Sequence, residues 1–201
     1  MTRSIGKIET SRRVCQSVLM TVLAVGLGSA CRAESVSTFA EPEEHPVTAT
    51  LIAEHDSIQP GGHTRIAVHF EIEEGWHIYA EDPGDAGLPT KVTWIGPSEG
   101  IVFGPLQWPT PHEFLDPGDL RTFGYTGALL LSSTMAVPAA WPNRLAAGLR
   151  VTADVRWLAC KDVCIPGRAD LELVLPFSPD PPVPSIHAQL FHLPSDALTT
   201  P

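Results

Sequence analysis

The stretch Thr64-Arg65-Ile66-Ala67-Val68-His69-Phe70-Glu71-Ile72 sets Ile66, Val68, Phe70 and Ile72 two residues apart. Side chains of a strand point alternately to its two faces, so these four apolar groups share one face. Working outward, the same rhythm recurs in short runs: Val47–Ala53, Trp76–Ala80, Lys91–Ile95, Ile101–Gln107, Ala128–Val137, Leu149–Leu158 and Ala169–Leu175. Twenty prolines and sixteen glycines punctuate the runs. Helix signals are scarce beyond the N-terminal segment. About eight short strands separated by turn residues predict an all-β, immunoglobulin-like antiparallel β-sandwich over residues 45–177. The likeness is architectural, because the usual cysteine pair bridging two sheets at wide separation is absent.

Two segments interrupt the alternation. Glu81–Thr90 is turn-rich, and Trp108–Gly127 reads as a long loop carrying Trp108, Phe114, Phe123 and Tyr125. Loops beyond about 12–15 residues within compact domains are often functional. Residues 178–201 are rich in proline and weakly patterned, which suggests a flexible tail.

The N-terminal thirty residues have the form of an export signal, with Arg3, Lys7, Arg12 and Arg13 ahead of an apolar run from Val14 to Gly28. That run is shorter than the roughly 20 residues a membrane span needs. Cleavage is therefore expected near residue 30, with residues 31–44 as a linker; the competing reading is an uncleaved N-terminal anchor. Ser11-Arg12-Arg13 partly matches a twin-arginine signal, and Cys31 partly matches a lipid-attachment site; neither match is good. All these readings place the chain outside the cytoplasm, where thiols tend to be oxidised. Loss of residues 1–30 removes four basic residues and Glu9, taking the net charge from −10 to −13. Such an acidic domain repels nucleic acid and anionic lipid, so neither is an expected partner.

Chemistry concentrates in Trp157-Leu-Ala-Cys160-Lys-Asp-Val-Cys164-Ile-Pro-Gly167. Three residues separate its two cysteines, which lie between runs that read as strands. They can form a disulfide, share a metal or exchange electrons with another protein. As a staple the bond is weak: the loop-entropy relation gives about 2 kcal/mol for roughly five residues, against nearly 5 for a hundred. Short loop-borne disulfides also tend to be open to attacking thiolates. Lys161 beside Cys160 favours a thiolate and Asp162 opposes it. Two thiolates suit copper(I), but the eight histidines (His45, His55, His63, His69, His77, His112, His187 and His192) show no zinc-finger spacing to them. Most of these histidines are expected at exposed positions, with His69 pointing away from the apolar face. No phosphate-binding glycine loop, nucleophile elbow or paired-carboxylate motif is present.

The chain resembles the N-terminal periplasmic domain of the thiol:disulfide interchange protein DsbD from about Val47 to Pro176. The resemblance is carried by Gly75-Trp-His-Ile-Tyr79, Pro83-Gly-Asp-Ala-Gly-Leu-Pro-Thr-Lys-Val-Thr-Trp94, Gln107-Trp-Pro-Thr-Pro111, Gly118-Asp-Leu-Arg-Thr-Phe-Gly-Tyr125 and the cysteine segment. It implies an immunoglobulin-like fold whose Cys160 and Cys164 shuttle electrons without a cofactor or metal. Cys164 would form the mixed disulfide and Cys160 would resolve it. A thioredoxin-like or membrane electron-transfer protein would be the donor, and oxidised periplasmic proteins the acceptors. His112-Glu113-Phe114 matches an aromatic cap loop, which makes Glu113 and Phe114 cap residues and Phe114 the shielding ring. Trp76 and Tyr79 match aromatic positions near the pair, with core packing the other reading for Trp76. The better-known members space their cysteines more widely. This sequence carries neither the membrane domain nor the thioredoxin-like domain of DsbD, so electrons are expected from separate proteins. A monomer is expected. The competing expectation is a non-enzymatic immunoglobulin-like binding module with a structural disulfide, taking copper or a protein partner.

Overall fold

The computed structural model describes residues 45–96, 100–116, 118–140, 148–194 and 197–199. The expected signal segment 1–30 and the linker up to residue 44 lie outside them. Among the described residues ten strands form: β1 Val47–Ala53, β2 His63–Ile72, β3 His77–Gly84, β4 Lys91–Ile95, β5 Val102–Phe103, β6 His112–Asp116, β7 Leu120–Tyr125, β8 Ala128–Ala136, β9 Leu149–Cys160 and β10 Cys164–Leu175. One sheet runs β1-β2-β8-β5 and the other β10-β9-β3-β7-β6, with β4 also paired to β9. The strand pairings are antiparallel. The protein is an all-β, immunoglobulin-like sandwich.

The alternation in β2 explains the core. Val68 and Phe70 bury completely with Leu129 and Leu131 of β8. Against them stand Ile78, Tyr125, Val155, Trp157 and Ala159 of the second sheet. Toward the other end, Ile66 joins Ile58, Met135, Leu149 and Val151. Burying such side chains is the dominant favourable term for a domain of this size.

Three expectations are revised. Trp108–Gly127 is not one long loop: its middle is a β-hairpin, β6 paired with β7 from His112↔Gly124 to Asp116↔Leu120. Gly118 and Asp119 make its turn with positive φ (94° and 59°), a conformation open to glycine and tolerated by aspartate. The run Ile101–Gln107 shrinks to the two residues of β5 plus an isolated bridge from Gln107 to Ser132. β9 and β10 extend up to the two cysteines themselves.

The proline-rich segment after residue 177, which composition suggests is a free tail, is docked over its described part. Val183 accepts a hydrogen bond from the Asp56 amide, and the Ser185 hydroxyl donates to the Ala53 carbonyl at 2.6 Å. A short 3-10 helix, Ala188–His192, lays Phe191 on Ile52 and Ala67. That contact buries Ala67 although the alternation turns it away from the main core. Arg65 clasps the helix. Its guanidinium grips Glu54 through two hydrogen bonds of 2.9 and 2.6 Å, donates to the Phe191 carbonyl at 2.6 Å, and lies 5.3 Å from the Phe191 ring centre.

The clasp has a pH signature. The hydrogen bond from Arg65 is the main cause holding the Glu54 carboxyl below its ordinary 4.5, against the opposing effect of burial. A carboxyl with a depressed folded value adds stability above its unfolded value and loses it as pH falls through the folded one. The Phe191 ring should therefore loosen only at pH values below 4.5. Arg65→Ala should loosen it at neutral pH, at a cost of about 2 kcal/mol for losing charged hydrogen bonds. Phe191 ring resonances followed by NMR check both. A signal unchanged by acid and by Arg65→Ala would show that the apolar contact alone holds the helix.

Candidate functional site

β9 and β10 form a twelve-residue antiparallel ladder, Leu149↔Leu175 through Cys160↔Cys164. Lys161, Asp162 and Val163 make its tip, where the Lys161 amide donates to the Val163 carbonyl at 3.1 Å. The two cysteines are therefore directly opposed, and they are joined by a disulfide with a Cα–Cα distance of 4.2 Å. This is slightly below the span of about 4.4–6.8 Å usual for disulfides. Opposed residues of an antiparallel pair already approach to about 4.5 Å where no hydrogen bonds join them.

Alternation places Trp157 and Ala159 on the core face, so Cys160 stands on the outer face of its sheet. Even so, it is only 3% exposed, whereas Cys164 is an exposed residue. The neighbour of Cys160 on its other side is His77 of β3, its register partner. Three strands thus carry Cys164, Cys160 and His77 in one row across the sheet.

His77 is 8% exposed, contrary to the exposed position expected for most histidines of this chain. Phe114 of β6 stacks on its imidazole, with ring centres 4.6 Å apart and planes 18° from parallel. Tyr79 meets it edge-on at 5.2 Å. Burial pushes the His77 imidazole below its ordinary value, with the Asp116 carboxylate opposing. Its Nε2 is buried and has no hydrogen-bond partner. A cleft of about 470 Å³ opens beside this stack, lined by Glu73, Glu74, Gly75, His77, Phe114 and Thr126 among others.

The residues singled out by sequence divide into those on this face and those elsewhere. Phe114 is half-buried in a strand, not in a loop, and its ring contact is with His77. Tyr79 is buried, and burial chiefly raises its phenol, with Asp116 adding to the effect. Trp76 packs against the main core. Glu113 is exposed and pairs with Arg121 at 3.5 Å. Asp162 is exposed at the tip, and the Lys161 side chain lies over Gly75, whose φ is +81°. Behind the site, Tyr125 donates to the Pro109 carbonyl at 2.8 Å and pins the segment that leads into β6. Burial, and secondarily Glu81, pushes that phenol up to about 12, so it remains a donor.

His77 is the residue that sequence reasoning missed. Its position within Gly75-Trp-His-Ile-Tyr79, two residues before the buried Tyr79 on a β-alternating run, was the available signal.

Residues 48–176 match the family described as thiol:disulfide interchange protein DsbD, N-terminal. Among solved structures, the N-terminal periplasmic domain of ScsB from Proteus mirabilis is similar at a TM-score of 0.55 and 17% identity. The alignment covers 80% of this chain and 57% of that one, so the chain spans little more than half of that relative. The Neisseria meningitidis DsbD N-terminal domain in its reduced form gives a TM-score of 0.38 at 16% identity, covering 67% of this chain and 89% of that one. No curated protein matches the chain significantly.

Proposed function

The chain belongs to the family of DsbD N-terminal domains, and from that premise we propose that it is a thiol–disulfide exchange module relaying reducing equivalents through Cys160 and Cys164. The observation that carries the reading is the unequal burial of one bonded pair: Cys160 is buried and Cys164 exposed, at a hairpin tip. A partner can reach one end of the bond, and the buried end is held where it can act second.

In the reducing direction, the Cys164 thiolate attacks a disulfide of an oxidised protein. A Cys164–partner disulfide forms and one partner sulfur leaves as thiolate. Cys160 then attacks Cys164 Sγ, the mixed disulfide breaks, and the partner departs as a dithiol while the Cys160–Cys164 bond re-forms. A thioredoxin-like or membrane electron-transfer protein reverses the sequence and returns the pair to dithiol. The setting proposed is periplasmic, after removal of residues 1–30, with oxidised exported proteins as acceptors. Among the described residues no helix is long and apolar enough to cross a membrane.

Cys160→Ser should accumulate a stable mixed disulfide at Cys164, visible as a mass adduct after incubation with excess oxidised glutathione, whose leaving thiolate departs as a separate molecule. Cys164→Ser should accumulate far less, because the remaining thiol is buried. Equal adducts on both variants, or none on either, would favour a binding module with a structural disulfide.

A further inference from the structure

We propose that His77 is a catalytic residue of the exchange: its neutral imidazole takes the Cys160 proton as that thiol resolves the mixed disulfide on Cys164. The inference rests on the exchange reading above and adds a proton acceptor to it. Resolution needs a thiolate at Cys160, the less accessible of the two cysteines. Burial in apolar surroundings disfavours a thiolate, so an attacking sulfur in such a place requires a base at hand. His77 is the register partner of Cys160 on the strand next to it. Directly opposed residues have Cβ atoms about 4.5–5.5 Å apart, within reach of an imidazole. Its Nε2 is buried without a partner, an arrangement that costs stability unless something uses it.

The other groups around the ring do not replace it. Asp116 of β6 accepts a hydrogen bond from the Thr122 hydroxyl at 2.9 Å. Tyr79 of β3 touches the ring edge-on and its phenol is raised. Glu73 and Glu74 are exposed residues on the cleft, and Lys161 at the hairpin tip lies over Gly75. Burial lowers the imidazole, with Asp116 opposing, so at neutral pH the ring is the unprotonated form that can accept a proton.

The step balances. The Cys160 proton passes to Nε2, and the Cys160 sulfur attacks Cys164 Sγ. The Cys160–Cys164 bond forms, and the departing sulfur carries away the electron pair of the broken bond. The imidazolium then returns its proton to the leaving thiolate or to solvent.

The full chain with Cys15→Ser and Cys31→Ser, reduced and mixed with dithiobis-nitrobenzoate in a stopped-flow instrument, separates the steps. Attack by Cys164 releases the first coloured thiolate, and resolution by Cys160 releases the second. With His77 as base, the second phase should be nearly flat from about pH 6.5 to 8, because neutral imidazole is present throughout. In His77→Phe it should fall about tenfold for each unit by which the pH is lowered, following the small thiolate fraction, while the first phase keeps its own pH dependence. His77→Gln, which keeps a hydrogen-bonding side chain but no base, should lose the plateau as His77→Phe does. A second phase whose pH profile is the same in parent, His77→Phe and His77→Gln overturns the role of His77 and leaves the exchange reading standing. A parent that releases no second thiolate overturns the exchange reading itself.

Discussion

Gly167→Ala is expected to lower the stability of the domain by about 3 kcal/mol, near the upper end of the cost of overpacking a core by one methyl group. Gly167 is the register partner of Trp157, and the indole lies across its Cα. A methyl group built there overlaps Cε2 and Nε1 and comes within 2.5 Å of Cζ2. The indole has nowhere to retreat. Trp157 is buried in the main core and meets the Phe70 ring edge-on at 5.7 Å and the His45 ring at 5.3 Å. Either the indole leaves these contacts or β9 and β10 separate, and they separate three residues from the two cysteines. A loss of this size should move the thermal midpoint by about 10 °C in a domain of this length. Trp157→Leu should cost stability alone but should make Gly167→Ala nearly neutral when combined with it, because the clash is pairwise. Equal midpoints for parent and Gly167→Ala, measured by calorimetry, would mean that the indole is not locked in place.

That pair also shows which features were legible in the sequence. Val47–Ala53 and Lys91–Ile95 form strands with the bounds expected, because clean alternation is bracketed by turn residues. The cysteine hairpin was legible too: strands on both sides of a three-residue gap leave little choice but a tight turn. The β6–β7 hairpin was not. β6 is an edge strand whose Leu115 faces solvent at 69% exposure, so burial imposes no apolar–polar rhythm on it. The docking of the 3-10 helix depends on Arg65 meeting the Phe191 carbonyl, a long-range contact that composition cannot express. The burial of His77 has the same origin, since its cover arrives from β6. The missed features are those in which a strand or helix distant in sequence overrides a local pattern.

The order of strands gives the shielding by Phe114 a direction. Cys164 lies on β10, Cys160 on β9, His77 on β3 and Phe114 on β6, so the aromatic stack stands on the Cys160 side of the bond. Thiolate exchange needs the attacking sulfur in line with the bond it breaks. Attack on Cys164 comes from the outer side of β10, whereas attack on Cys160 must come through the space held by His77 and Phe114. Phe114→Ala should therefore do more than speed reduction by glutathione. The gain, about tenfold if the ring adds some 1.4 kcal/mol to the barrier, should appear as new adducts on Cys160, with adduct formation at Cys164 little changed. Quenching with acid early in the reaction and locating glutathione by mass spectrometry reads the site of attack. The fold should persist, since Phe114 is half-buried on the outer face and makes no part of the main core. If parent and variant react at the same rate with adducts on the same cysteine, Phe114 shields nothing, and its stacking on His77 is packing alone. If the gain falls on Cys164 instead, the ring reaches across the row, and docking partners must displace it before the first step of exchange.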